Sequence, residues 1–167
     1  MTGAIATPDP RRKWYGLALR HLRMSRRLVR LGFADGAAFH AYHAFECVLS
    51  TMIAARGYDV PPEGWTRLLS PSGKIVHAYP SPNGGITDKS AHKARIIFFR
   101  ELSDRTKPYW ATFNILSRIL DVNARNNALY YDASRDLLPQ QRYSEAWVTG
   151  LLPMVRLFVR QVRREEI

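Results

Sequence analysis

The chain has 167 residues, of which 46% are hydrophobic, and it carries one cysteine and a formal net charge of +11. Such a length suits one domain that buries a core without staples, and the lone Cys47 excludes an intramolecular disulfide and a cysteine-built zinc site. No apolar run of about 18 residues could span a bilayer and no secretory leader is present, so a cytoplasmic protein free of membrane is expected.

The positive charge is concentrated at the two ends of the sequence. Arg11, Arg12, Lys13, Arg20, Arg23, Arg26, Arg27 and Arg30 crowd the first segment against one acid, Asp9, and Arg156, Arg160, Arg163 and Arg164 line the last. An excess of this kind favours a polyanionic partner, nucleic acid above all. A solvated arginine-rich face is the plainer reading, and charge alone does not separate the two.

In chain order, residues 1–9 read as a loose N-terminus. Pro8-Asp9-Pro10 opens a helix to about Leu31, with Trp14, Leu17, Ala18, Leu22, Ser25 and Leu28 inward and His21 at the edge of that face. Gly32 ends it. A second helix, Ala34 to Arg56, closes at Gly57, and its alanines Ala37, Ala38, Ala41 and Ala44 permit a close helix neighbour. Tyr42, Leu49 and Ile53 make its apolar stripe, in which Glu46 occupies the fourth place. A carboxylate there needs a cation, and Arg125 is the expected one; the other reading places Glu46 at a solvated rim. His40 and His43 share this helix, but with no third ligand in view they do not make a metal site.

Residues 58–87 form a long irregular insertion rich in proline and glycine, a kind of segment that is usually functional or mobile. Within it Trp65, Leu68 and Leu69 suggest a helical turn, and Lys74, Ile75 and Val76 a brief extended piece. A third helix, from Asp88 or Ser90 to Asp104, presents His92, Ile96 and Phe99 on one face beside Lys93, Arg95 and Arg100. His92, Lys93 and Arg95 are candidate nucleic-acid contacts. The fourth helix begins at Pro108 and lasts to about Tyr131, with Ile115, Ile119, Val122, Asn126 and Leu129 as its core-facing row. A last helix, Tyr143 to Glu165, turns Trp147, Leu151, Met154, Phe158 and Val162 inward, and Pro153 should kink or break it. With four or five long amphipathic helices the pattern predicts an all-α, up-and-down bundle filling residues 1–167 as a single domain.

The fourth helix carries the densest cluster of chemistry, DVNARNNALYYD from Asp121 to Asp132. Asn126 falls in the core-facing row, Arg125 lies beside it with Asp121 one turn before, and Tyr130 follows one turn after. An amide at a buried edge costs stability unless it is bonded. Either Arg125 simply pairs with Asp121 and Asn126 is a satisfied core group, or Arg125, Asn126, Tyr130 and Tyr131 form a site supported by Asp121 and Glu46.

Two of these segments resemble the HEPN family, the higher eukaryotes and prokaryotes nucleotide-binding domains. The second helix, AFHAYHAFECVLSTMIAARG, is similar to the family's signature helix: small and aromatic residues, an Ala-x-Glu at Ala44 and Glu46, then an apolar run from Cys47 to Ile53 ending in glycine. Arg125 and Asn126 match the front of the family's R-x4-6-H motif. Its end departs, because Tyr130, Tyr131 and Asp132 stand where the histidine belongs and no histidine follows His92. The resemblance implies a HEPN-type bundle that pairs as a homodimer through the Arg125 helix. It also implies a metal-independent endoribonuclease of toxin–antitoxin or phage-defence type, needing no metal or cofactor, with a cognate antitoxin or effector protein as a further partner.

In that family arginine holds the scissile phosphate, the polar neighbour positions it, and histidine assists the ribose 2′-hydroxyl. A tyrosine with reference pKa near 10 is a poor base but a competent donor or stacking platform. The expected function is therefore binding of RNA or a nucleotide, with cleavage open and, if present, assisted by Tyr130, Tyr131 or a histidine such as His92 or His77. The alternative is a non-catalytic module for protein interaction or nucleotide sensing, in which Glu46, Arg125 and Asn126 only fix helix register.

Overall fold

A computed structural model describes residues 9–57, 67–69, 75–77, 91–129 and 135–167. They form seven helices and one small hairpin: α1 (Pro10–Arg30), α2 (Ala34–Ala55), β1 (Arg67–Leu69), β2 (Ile75–His77), α3 (Ala91–Leu102), α4 (Tyr109–Ile119), α5 (Val122–Asn127), α6 (Pro139–Arg142) and α7 (Glu145–Glu166). The chain is thus predominantly helical, as the periodicity predicts.

The first two helices make an αα-hairpin whose geometry is written locally. Asp9 caps α1 by accepting the Arg11 N–H at 3.0 Å, and Pro10 sits at its first position, where a missing N–H costs nothing. At the other end Gly32 adopts φ +80, the Gly32 N–H reaches the Val29 carbonyl and the Phe33 N–H reaches the Leu28 carbonyl at 2.9 Å. This Schellman closure turns the chain back on itself. The two helices then approach closely: a Cβ at Gly36 would stand 3.3 Å from Leu28 Cδ1, and Ser25 Oγ donates to the Ala37 carbonyl at 2.6 Å inside the contact.

Helix α2 is the axis of the bundle. It touches α1, α3, α5, α6 and α7, and from Ala41 to Ile53 only His43 escapes full burial. The alanines expected to admit a neighbour, Ala37, Ala38, Ala41 and Ala44, are all buried. Around α2 the core is aromatic. Phe99 of α3 lies 4.5 Å from Phe113 of α4 and 5.7 Å from Phe158 of α7, and Phe45 of α2 lies 5.5 Å from Phe158. Offset and edge-on pairs of this kind add roughly 0.5–1.5 kcal/mol each beyond their buried area.

Four expectations are overturned. The fourth helix is not continuous: Leu120 leaves the helical region at φ −106 and ψ 59, and Asp121, in extended conformation, starts a new helix as the N-cap of α5. The inward face of α4 is also not the expected row: Tyr109, Phe113, Leu116 and Leu120 are buried, while Ile115 and Ile119, and Leu129 after the break, are exposed. In α7 the buried row is Val148, Leu151, Val155, Phe158, Val159 and Val162; Trp147 is exposed and Met154 only partly covered. Of the two outcomes expected at Pro153, a kink or a break, the break does not occur: α7 is one helix from Glu145 to Glu166 with Pro153 inside it.

The fourth correction is local. Leu68 and Leu69 belong to a strand and not to a helical turn, β1 pairing antiparallel with β2 in the register Leu68 to Val76. Trp65 lies outside the described residues, as do Met1 to Pro8 and Tyr130 to Ser134. Among the described residues no helix is long and apolar enough to cross a membrane.

Candidate functional site

The α2 stripe does place a carboxylate in the core. Glu46 is 1% exposed, one turn after the buried Tyr42. Its cation is Arg95 of α3 and not Arg125: Arg95 Nη1 stands 2.7 Å from Glu46 Oε1, and the Arg95 side chain is 8% exposed. The guanidinium also lies over the Trp14 ring of α1, 5.9 Å from its centroid. Arg95 was expected to meet nucleic acid at the surface. It cannot, because the only way to bury Glu46 at a reasonable cost is to bury a bonded cation with it. Burial pulls the Arg95 pKa down to about 10, which leaves it charged at neutral pH.

The other Glu46 oxygen faces histidine. His43 Nδ1 stands 3.2 Å from Oε2, and His43 stacks on His21 of α1 at 5.3 Å between centroids. His21 Nδ1 lies 2.9 Å from His40 Nδ1, so one ring donates and the other accepts. The third imidazole that sequence reasoning could not find near His40 and His43 is thus His21. The signal was present in the register: His21 and His43 stand equidistant from Gly32, and an antiparallel hairpin brings such residues together. Burial, then the neighbouring imidazoles, lower His21 to about 4, and His40 is lowered as well by burial and His43. No group of three or more metal-ligating side chains has the geometry to hold an ion among the described residues.

Arg125 is placed differently. It sits half-buried on the six-residue helix α5, which packs on α2, and Tyr143 Oη of the segment before α7 donates to the Ala124 carbonyl at 2.7 Å and ties α5 down. Arg125 Nη1 donates to Asn126 Oδ1 at 3.2 Å, and Arg125 Nε is buried without an acceptor. No ion pair holds Arg125 among the described residues. Asp121, expected to support it, instead accepts the Ala124 N–H at 2.8 Å as the cap of α5.

The two arginines share one buried neighbour. Burial, then Glu46, push the Tyr42 phenol far above its ordinary value, while Arg95 and Arg125 both act in the opposite direction. The same burial, together with Glu46, raises the Cys47 thiol to about 12 and makes it unreactive.

The arrangement therefore bonds Arg125 to Asn126, keeps Asp121 as the cap of the same helix with its carbonyl accepting the Arg125 N–H at 3.4 Å, and gives the Glu46 carboxylate to Arg95. Tyr130 and Tyr131 fall outside the described residues, and so do the side chains of His92 and Lys93. The residues that sequence reasoning missed are Arg95 as the partner of Glu46 and His21 as the partner of His40. Compared with protein-family models, curated proteins and solved structures, the chain gives no match.

Proposed function

We propose that this protein binds RNA or a nucleotide through the phosphate, using the Arg125 guanidinium with the Asn126 amide on α5, within a bundle of HEPN type. The observation that carries the reading is the contrast in partners. Glu46 is neutralised by Arg95, and among the described residues Arg125 has a neutral amide and no carboxylate bonded to its side chain. A half-buried guanidinium without a carboxylate is an anion site in waiting, since a phosphate oxygen supplies the missing acceptor in charge-assisted geometry. The net charge of +11 raises the local concentration of any polyanion.

The reading stops at binding. Cleavage through a ribose 2′-hydroxyl needs a base beside the guanidinium, and none of His21, His40 and His43 is bonded to Arg125. Exposed apolar groups on α4 and α7, among them Ile115, Ile119 and Trp147, support pairing of two copies on the side of the molecule that carries α4. That homodimer and a cognate antitoxin or effector protein belong to the same proposal.

The test is fluorescence anisotropy with labelled single-stranded RNA, run beside a gel assay for cleavage with and without a chelator. Arg125→Gln should weaken binding about tenfold or more, by analogy with loss of a hydrogen bond to a charged group, without changing the unfolding midpoint. Unchanged affinity in that variant would sink the proposal. Chelator-resistant cleavage that disappears in Arg125→Gln would extend it to a ribonuclease.

A further inference from the structure

The groove between α1 and α7 is made of residues that the preceding proposal does not use. Its cavity is about 420 Å³, walled by Arg26 and Arg30 from α1 and by Arg156 and Arg160 from α7. Each pair is spaced one helical turn apart, and all four side chains are exposed. Leu22, Leu152 and Pro153 give the groove an apolar floor.

No carboxylate lines it among the described residues. The sequence of α1 contains no acid at all, and α7 contains none between Glu145 and Glu165. None of the four arginines makes an ion pair among the described residues. Like charges one turn apart oppose helix formation, and two such pairs facing each other across a groove add to that cost. The fold keeps them together although either helix could have carried an acid.

The basic track continues beyond the cavity. At the other end of the two helices Arg163 lies over the Tyr15 ring, 5.7 Å from its centroid. Tyr15 precedes Leu22, Arg26 and Arg30 on the same strip of α1, and Arg163 follows Arg156 and Arg160 on the same strip of α7. From Tyr15 to Arg30 the strip is about 22 Å long, room for about six stacked nucleotides. A positive groove that tracks a backbone, continued at one end by a guanidinium over a tyrosine ring, suits a single-strand binding surface. A further feature favours a ligand that can donate hydrogen bonds. Pro153 has no N–H, so the Thr149 carbonyl loses its helical donor, and both residues line the groove. A ribose hydroxyl or a base amine can satisfy such an acceptor.

We infer that the α1–α7 groove is a binding track for the phosphodiester backbone of single-stranded RNA, with Arg26, Arg30, Arg156 and Arg160 contacting successive phosphates. The inference shares with the proposal for Arg125 its ligand class and none of its residues.

The test is anisotropy with a labelled single-stranded RNA across a salt series, on the full chain and on two paired variants, Arg26→Gln with Arg30→Gln and Arg156→Gln with Arg160→Gln. Each variant should weaken binding and reduce the slope of log affinity against log salt by about 1.4, the value for two lost phosphate contacts on a single strand. Unfolding midpoints should stay level or rise as like charges are removed, which shows that lost binding is not lost folding. Affinity and slope unchanged in both paired variants would overturn the groove while leaving Arg125 to stand if Arg125→Gln still loses binding. The converse pattern would keep the groove and remove Arg125. Groove-dependent binding of ATP or of phosphatidylglycerol vesicles, with no RNA bound, would also overturn the assignment.

Discussion

Two arginines, Arg95 on α3 and Arg125 on α5, lie close enough to the same buried tyrosine, Tyr42, to act on its charge, yet they are used in opposite ways. Arg95 is 7% exposed, bonded to Glu46 at 2.7 Å and covered by Trp14. Arg125 is half-buried and, among the described residues, its side chain bonds to the amide of its chain neighbour and to no carboxylate. The difference teaches that a buried carboxylate selects one cation and spares the other. Charge on a basic protein is therefore not one property: part of it is consumed in folding, and the remainder is available to a ligand.

The comparison breaks most easily at Arg95. Replacing it with leucine leaves the Glu46 carboxylate buried without the guanidinium now 2.7 Å from it, and loss of one partner of a buried pair costs about 3–5 kcal/mol. Urea unfolding of Arg95→Leu should show that loss. Adding Glu46→Leu in the same chain should recover most of it, because two apolar side chains of similar volume need no compensation. A single Arg95→Leu variant as stable as the native chain would mean that Glu46 has another cation.

The histidines make a second, smaller division within the same helix pair. In the folded state His21 titrates at about 4, against about 6.5 in an unfolded chain, because burial disfavours its charged form. Between these values the unfolded chain binds more protons, so stability is complete above pH 6.5 and is lost as pH falls towards 4. His40 is shifted the same way. Discounted for partial exposure, the His21 contribution is on the order of 1–2 kcal/mol. Unfolding free energy measured between pH 7 and pH 4 should decline, and His21→Phe should flatten that decline. An equal decline in the variant would assign the effect to carboxylates instead.

How much of this was legible in the sequence depended on the range of the interaction. The α1–α2 hairpin was, because Asp9, Pro10, Gly32 and the alanines act within a few residues of themselves. The burial of Glu46 was legible only in part: a stripe with Tyr42, Leu49 and Ile53 points it inward, but the sequence left a solvated rim as an equal reading. Its partner was not legible. Arg95 and Arg125 are both far from Glu46 in sequence, and no periodicity says which of two later helices packs on α2. The break at Leu120 misled for a local reason: Asp121 reads equally well as an interior helical residue facing Arg125 and as an N-cap, and the capping bond to Ala124 prevailed. The faces of Ile115 and Ile119 misled separately, because Tyr109, Phe113 and Leu116 make a competing apolar row on the same helix and that row is the buried one. Ala128 is buried with Tyr143 and Val148 while Leu129 is exposed, so the apolar side falls one residue before the Leu129 of the predicted row.

The Asp121 cap permits a finer cut. Asp121→Ala removes the acceptor for the Ala124 N–H and should cost about 0.5–2 kcal/mol. The cost should appear in global unfolding and also in faster amide exchange confined to α5. Exchange spread evenly over the bundle would mean that α5 does not open as a separate unit. Because the cap holds the helix that carries Arg125, this variant should weaken RNA binding in proportion to the opening of α5, with Arg125 itself intact.

The smallest effect on stability belongs to Arg125, and it decides between the two arginines. With no carboxylate to leave behind, Arg125→Gln removes one long neutral-acceptor bond to Asn126 and little else, so the change in unfolding free energy should stay within about 0.5 kcal/mol. Removal of a guanidinium from a cation-rich fold also relieves repulsion, which acts in the opposite direction. A loss of several kcal/mol would place Arg125 beside Arg95 as a structural cation, and the contrast on which the phosphate-binding reading depends would be gone. A neutral change in stability together with a large change in RNA affinity is what a guanidinium held for a ligand predicts.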